Sequence, residues 1–240
     1  MASSKKPGKE PKIYDISLPL YQGMVVYPNN TEFRARPIHS RTSVSSEIVM
    51  GSHAGTHVDA PKHVFPKGKG VDTIPVSTLV GACRVLDMTG CKKTVTVQDL
   101  QSARIKKGER ILLKTRNSTR GFKNFYTDYI YLDGDAAEFL AKKGVALFGI
   151  DYLSVKQKGS EDNRLHTALL KKTSRFGRTW IFPKSNPENI FSSAFRSNSN
   201  IPDGAPAQAI LMQQEASFRI ISLYFLGKIC DKRQIFGHGK

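Results

Sequence analysis

Residues 52–63 read Ser-His-Ala-Gly-Thr-His-Val-Asp-Ala-Pro-Lys-His, and this short stretch holds three of the six histidines of the 240-residue chain together with an aspartate. Imidazole nitrogens and carboxylate oxygens are the ligands that zinc and similar divalent ions take, and three protein ligands leave one position for water. The stretch therefore indicates metal-assisted hydrolysis, with a metal-free proton-transfer site as the alternative.

The spacing of His53, His57, Asp59 and His63 constrains the backbone. All four positions are odd, so an extended strand would point the four side chains to one face. A straight strand would, however, hold His53 and His57 about 13 Å apart, too far for both to reach one ion. Gly55 lies midway between them and lacks a Cβ, so we predict a bend there, with a strand leading into a bent loop.

The same stretch resembles the signature of the cyclase family of metal-dependent hydrolases, which includes kynurenine formamidases (arylformamidases) and isatin hydrolases. The resemblance covers most of the chain. It implies an α/β fold, a single domain with a mixed, barrel-like β-sheet core flanked by helices. It is carried by residues 14–17 (Tyr-Asp-Ile-Ser), 26–28 (Val-Tyr-Pro), 148–151 (Phe-Gly-Ile-Asp), 165–170 (Leu-His-Thr-Ala-Leu-Leu) and 203–211 (Asp-Gly-Ala-Pro-Ala-Gln-Ala-Ile-Leu).

The resemblance also implies a metal site. His53, His57 and Asp59 would bind a divalent ion, zinc or alternatively manganese, because they match the ligand positions of the family motif. Asp59 would be able to bridge to a second ion that His166 also holds. The chain is therefore expected to bind one or two ions.

The implied reaction is hydrolysis of a non-peptide C–N bond in a small aryl formamide or cyclic amide, with N-formylkynurenine, an intermediate of tryptophan catabolism, as the leading substrate. His63 would be the general acid/base, and Tyr27 would line the substrate pocket. Relatives are dimers or larger, so the resemblance implies a homodimer or higher homo-oligomer.

One ligand of the family pattern is missing. Relatives continue past the second histidine segment into an apolar strand that ends Leu-Glu-Gly-Leu, and its glutamate is a further metal ligand. The corresponding position, twelve residues past His166, is Arg178. A guanidinium stays protonated and cannot ligate a cation. The alternative function is therefore a catalytically inactive family member that retains the fold as a binding or structural protein.

Residues 173–201 lack clear helical or period-two patterning, although the family pattern resumes at Asp203 at the expected distance. Two compensating frameshifts would preserve length in this way. A back-translation of residues 174–180, read one base later, gives Leu-Val-Leu-Glu-Gly-Leu, and its glutamate codon overlaps the codons of residues 177 and 178. We therefore hypothesise that residues 173–201 are either a reading-frame error in the gene sequence or a genuine compensated frameshift, with a divergent surface insert as the alternative.

Composition limits the domain organisation and the cellular location that we expect. A chain with 39% hydrophobic residues can bury a core, and we predict one hydrolase domain over residues 13–212. Residues 1–12 are predicted to be a disordered basic tail, and residues 213–240 an uncertain extension. The chain lacks a signal peptide pattern and the ~20 consecutive apolar residues of a membrane span. Its three cysteines show neither the spacing of a disulfide framework nor that of a metal site. We therefore expect a cytoplasmic protein without a membrane partner.

The net charge of +17 suggests anionic partners. The lysines and arginines are, however, scattered, with no aromatic-flanked basic stripe and no nucleic-acid module. We therefore expect a small-molecule aryl amide substrate and no nucleic acid.

Periodicity and end signals predict strands over residues 13–17, 45–50, 82–88, 110–115 and 145–151, and helices over 97–103, 136–143 and 166–172. For the helix at 136–143, the end signals are acidic residues near its start, Asp133 among them, and a glycine stop at Gly144. The strand at 45–50 is expected to lead the chain to the bend at Gly55.

Overall fold

The computed structural model describes residues 12–171, 175–178, 190–196 and 203–213. Every predicted strand and helix is found, with ends shifted by a few residues. The strands are β1 (Lys12–Asp15), β2 (Arg34–His39), β3 (Val44–Val49), β4 (His57–Asp59), β5 (Gly81–Asp87), β6 (Thr94–Val95), β7 (Arg110–Lys114), β8 (Tyr131–Leu132), β9 (Leu147–Ile150), β10 (Arg175–Arg178), β11 (Ile190–Arg196) and β12 (Gly204–Gln213). The α-helices are α1 (Val76–Leu79), α2 (Val97–Gln101), α3 (Asn117–Arg120), α4 (Gly134–Lys143) and α5 (Arg164–Lys171).

The main sheet is mixed and has the strand order β1-β12-β11-β5-β7-β9-β10-β4. Strands β5, β7, β9 and β10 run parallel, whereas β1, β12, β11 and β4 join them through antiparallel ladders. Strand β4 also pairs with β12. The mixed α/β single domain is therefore confirmed, while the barrel-like form of its core stays a prediction.

The central parallel strands are buried on both faces. On one face, Ile111 and Leu113 of β7 pack with residues of α4 and α5 in a large apolar cluster. On the other face, Leu112 joins a second cluster with Val58 of β4 and Leu211 of β12. This explains why β7 and β9 read as continuous apolar runs rather than alternating ones.

Helix α4 shows the predicted end signals. The side chain of Asp133 accepts a hydrogen bond from the backbone N–H of Ala136 (2.6 Å), and Gly144 ends the helix with φ 71° in the left-handed region. A carboxylate at the start and a glycine at the end satisfy backbone groups that the helix itself leaves open.

The side chain of Asp151 joins the carboxyl ends of β7 and β9. Asp151 has no solvent exposure. Its carboxylate accepts hydrogen bonds from the backbone N–H and hydroxyl of Thr115 (2.9 and 2.7 Å) and from the same two groups of Ser118 (3.2 and 2.6 Å). Burial raises the pKa of Asp151 above its usual 3.8 even though these hydrogen bonds oppose the rise.

Strands β2 and β3 form a separate two-stranded hairpin that precedes the histidine-rich stretch. All residues of both strands are exposed. They include Ile38 (47% exposed), Val44 (64%) and Ile48 (56%). The predicted strand is therefore present, but it stands outside the main sheet.

The segment with anomalous sequence contributes backbone to the main sheet. Strand β10 lies between β9 and β4, and β11 lies between β5 and β12. These pairings argue against a surface insert at residues 175–178 and 190–196. The rest of the hypothesised frameshift (173–174, 179–189 and 197–201), the predicted tail except Lys12 and the predicted extension except Gln213 lie outside the described residues. Lys12 and Gln213 themselves lie in β1 and β12. Among the described helices, none has the length and apolar character needed to cross a bilayer.

Candidate metal centre

The predicted bend at Gly55 is present. Gly55 has φ 57°, a left-handed conformation that favours glycine. A Cβ at this position would lie 2.6 Å from Cδ2 of Leu20. The turn is closed by a hydrogen bond from the N–H of Ala54 to the carbonyl of Gly51 (3.1 Å). The bend places His53 outside β4, so that its ring folds back over the strand.

Strand β4 holds the buried part of the site. His57 is 1% exposed and Asp59 is fully buried. Nδ1 of His57 lies 2.8 Å from the carbonyl oxygen of Gly55, and its Nε2 lies 3.4 Å from Oδ1 of Asp59. Nδ1 of His53 lies 2.8 Å from the same Oδ1. One carboxylate oxygen therefore sits between two imidazoles.

His63 and His166 lie on other elements, and each places a ring nitrogen within 4.8 Å of a carboxylate oxygen of Asp59. His63 ends a 3₁₀ turn over Pro61–His63, and its ring centroid lies 4.3 Å from that of His53 and 5.5 Å from that of His166. His166 comes from the first half of α5 and is 8% exposed. The structure thus brings together the predicted residues across more than a hundred positions of sequence.

Possible ligand atoms of the described residues form three groups, and two of them share Asp59. The first group is His53, His57 and Asp59, the second is Asp59, His63 and His166, and the third is His53, His63 and Asp203; within each, the ligand atoms lie within 4.8 Å of one another. Nitrogen and carboxylate donors at this separation fit zinc and manganese. The donor set therefore fits the divalent ion that the resemblance implies, and the sharing of Asp59 fits one or two ions.

Asp203 is a site residue that sequence reasoning missed. Its Oδ2 lies 3.0 Å from Nε2 of His53 and accepts a hydrogen bond from the hydroxyl of Ser52 (3.2 Å). Burial raises the pKa of Asp203, but hydrogen bonding and the charge of His53 lower it more, and the net pKa lies below the usual 3.8. The signal in the sequence was the return of the family pattern at residue 203.

Tyr27 lies beside an aromatic cluster. Its ring meets that of Phe125 edge-on at 5.3 Å, and Phe125 contacts both Tyr129 and Tyr152, which stack at 4.3 Å. Burial raises the pKa values of Tyr129 and Tyr152 to about 12, so these phenols stay neutral. The place of Tyr27 in a substrate pocket stays a prediction.

The backbone pairing of β10 with β4 places position 178 opposite His57. The Cα of Arg178 in β10 is paired with that of His57 in β4 and with that of Ile150 in β9. Paired Cα atoms in an antiparallel ladder lie about 4.5–5.5 Å apart. The expected ligand position, occupied here by arginine, is thus adjacent to a candidate ligand.

Comparisons with known proteins identify the family of the chain. A family model described as "Putative cyclase" matches residues 14–157. Kynurenine formamidase of Bacillus anthracis is 28% identical over 208 residues, which cover 85% of this chain and 98% of that protein. Kynurenine formamidase of Bacillus cytotoxicus is 32% identical over 202 residues, covering 82% and 95%.

Solved structures show the same fold. A potential metal-dependent hydrolase with cyclase activity superposes with a TM-score of 0.76 at 33% identity, covering 86% of this chain and all of that one. Isatin hydrolase A from Labrenzia aggregata, at 20% identity, superposes with a TM-score of 0.73 over 85% of this chain and 94% of that one, and it supports the fold alone. Family match, relatives and fold agree: the chain belongs to the cyclase family.

Proposed function

We propose that this protein is a metal-dependent amidohydrolase that cleaves the non-peptide C–N bond of a small aryl formamide or cyclic amide. The leading substrate is N-formylkynurenine, which water would split into kynurenine and formate. The observation that carries the proposal is the convergence on Asp59, whose buried carboxylate is shared by two groups of candidate ligands. The kynurenine formamidases among its relatives support the substrate class.

His53, His57, Asp59 and His166 would hold the metal, as one ion or two, with zinc favoured and manganese the alternative. A bound divalent ion would lower the pKa of its water toward about 7 and polarise the substrate carbonyl. Within the chain, the contact between His57 Nδ1 and the carbonyl of Gly55 orients that ring, so that its Nε2 faces Asp59.

We assign proton transfer to His63. Its ring lies between those of His53 and His166 and is only partly buried, so a substrate can reach it. An imidazole changes charge near neutral pH and can deliver a proton to the leaving nitrogen. Tyr27 and the neighbouring aromatic cluster would pack against the aryl ring of the substrate.

Replacing His63 with alanine is expected to lower kcat for N-formylkynurenine by about 10² to 10⁴-fold, the usual contribution of general acid/base catalysis. His39→Ala is the matched control, since His39 is an exposed histidine of the β2–β3 hairpin. The measurements are the rate of kynurenine formation and the metal content of the purified protein. A protein without bound zinc or manganese, and without turnover that depends on His63, would contradict the proposal.

The exposed β2–β3 hairpin supports a homodimer or higher homo-oligomer. A two-stranded hairpin is marginally stable alone in water, and Ile38, Val44 and Ile48 would be covered by contact with a second copy. Light scattering tests this, because a monomeric mass would contradict it.

The pairing of β4 with both β10 and β12 supports a barrel-like core. We place the protein in the cytoplasm, with neither a membrane nor a nucleic-acid partner.

The alternative is a catalytically inactive protein that retains the fold, and the register of Arg178 against His57 favours it. A cation at this register position would oppose metal binding, so Arg178→Glu is expected to tighten zinc binding by about tenfold or more, equal to about 1.4 kcal/mol. Arg178→Gln is the matched control, because it removes the charge without adding a carboxylate. Calorimetric titration with zinc measures both. Equal affinities for the two variants would show that position 178 contributes no ligand.

We also propose that residues 173–201 arise from a compensated shift of reading frame. The transcript tests this directly. An unshifted transcript that encodes Arg178 would exclude an error in the gene sequence and leave the inactive protein as the explanation to test.

A further inference from the structure

Asp203 holds the imidazole of His53 on the side opposite the buried carboxylate. Oδ2 of Asp203 lies 3.0 Å from Nε2 of His53, whereas Nδ1 of the same ring lies 2.8 Å from Oδ1 of Asp59. The two nitrogens of one ring therefore face two different carboxylates. Only one of these nitrogens carries a proton in a neutral imidazole.

Asp203 is itself fixed in place. The hydroxyl of Ser52 donates to its Oδ2, and its backbone carbonyl accepts a hydrogen bond from the N–H of Ala60 at 2.9 Å. Ala60 directly follows β4, and Asp203 directly precedes β12, which pairs with β4. The carboxylate is thus attached to the same strand that carries His57 and Asp59.

Gly204 makes room for the ring of His53. A Cβ at Gly204 would lie 2.7 Å from Cε1 of His53 and 3.0 Å from the carbonyl oxygen of Val58. The φ angle of Gly204 is not in the left-handed region. Space, not backbone conformation, is therefore the reason for glycine at this position, because any side chain would displace the imidazole.

We infer that Asp203 and Gly204 together position His53. Asp203 accepts the Nε2–H of His53, which leaves the Nδ1 lone pair free for a metal ion that Asp59 would also bind, and Gly204 leaves the volume that the ring occupies. A carboxylate that accepts the second N–H of a ligand histidine sets ring orientation and raises ligand basicity. This inference rests on the proposed function, because His53 is assigned there as a ligand.

The decisive experiment records the imidazole nitrogens of the zinc-loaded protein by two-dimensional NMR after ¹⁵N-histidine labelling, with the metal-free protein as the reference. His53→Gln identifies the His53 signals. The zinc-loaded wild type is expected to show the Nε2–H tautomer of His53, with no proton on Nδ1. Asp203→Ala is expected to lose this preference, whereas Asp203→Asn keeps it, because the amide oxygen still accepts the N–H.

Zinc titration gives the second readout. Asp203→Ala is expected to weaken binding by about 10- to 100-fold and Asp203→Asn by less, because only the charge is lost. Gly204→Ala is expected to weaken binding as well. The controls are Asp128→Ala, an exposed carboxylate paired with Arg120, and Gly90→Ala, where a Cβ would meet nothing within 4 Å.

An unchanged His53 tautomer in Asp203→Ala would overturn the inference. Loss of one bound ion without a change of tautomer would also overturn it, because Asp203 would then be a ligand itself. If Asp203→Ala fails to fold by circular dichroism, Asp203→Asn and Gly204→Ala still give both readouts. Failure of the proposed function is distinct, because it would appear as absent turnover in a wild type that binds zinc and whose spectrum still tests the tautomer.

Discussion

Replacing Asp59 with asparagine is expected to abolish tight metal binding and to lower kcat/KM by about 10³-fold, which corresponds to about 4 kcal/mol. Asp59 is fully buried, and its Oδ1 lies close to both His53 and His57. It also belongs to two of the three groups of candidate ligands. Asparagine keeps the shape of the side chain but removes the negative charge, so each of these two groups loses its anionic donor.

The measurement combines zinc content, zinc titration and N-formylkynurenine turnover, with circular dichroism to show that the variant is folded. Asp72→Asn is the matched control, since Asp72 is exposed and lies in a 3₁₀ turn. An Asp59→Asn protein that still binds one equivalent of zinc at wild-type affinity would show that the two donor groups do not form the metal centre.

The second large effect concerns folding. Asp151→Ala is expected to lower the free energy of unfolding by at least about 3 kcal/mol, because the donors of Thr115 and Ser118 would lose their acceptor in a buried position. Ser118→Ala, which removes a single hydroxyl donor, is the graded control and is expected to cost about 1 kcal/mol. Urea denaturation measures both.

The effect of Asp151→Ala should also depend on pH in a defined direction. Burial raises the pKa of Asp151 above 3.8, so protonation favours the folded state. That contribution is fully present below the unfolded-state pKa and is lost as the pH rises through the folded-state pKa. The difference between wild type and Asp151→Ala is therefore expected to grow as the pH is lowered from neutral toward about 4. A difference that shrinks over this range would contradict the assignment.

Local signals in the sequence predicted the local structure. Asp133 and Gly144 marked the ends of α4, because a capping carboxylate and a left-handed glycine act within one helical turn. Gly55 marked the bend, because two histidines four residues apart could not otherwise approach one ion. His166 was found only through the resemblance, since nothing in its own helix indicates a partner a hundred residues away.

Other features could not be predicted from the sequence, because they depend on contacts between residues far apart in the chain. Asp203 is separated from His53 by most of the chain, and a lone carboxylate has no periodicity that would identify it. The strand β3 was predicted, but its place in an exposed hairpin depends on β2. The sheet positions of β10 and β11 were not predicted, because their sequence carries little strand pattern and their neighbouring strands supply the order.

The pairing of β1 with β12 joins the first and last described strands, with Ile13 opposite Met212. During synthesis, β1 leaves the ribosome long before its partner exists, and the same holds for His53 and the residue that orients it, Asp203. The sheet edge and the site therefore assemble only after β12 has been synthesised. Until then, a nascent chain exposes an unpaired strand and an incomplete set of ligands, and chains released early would carry both defects.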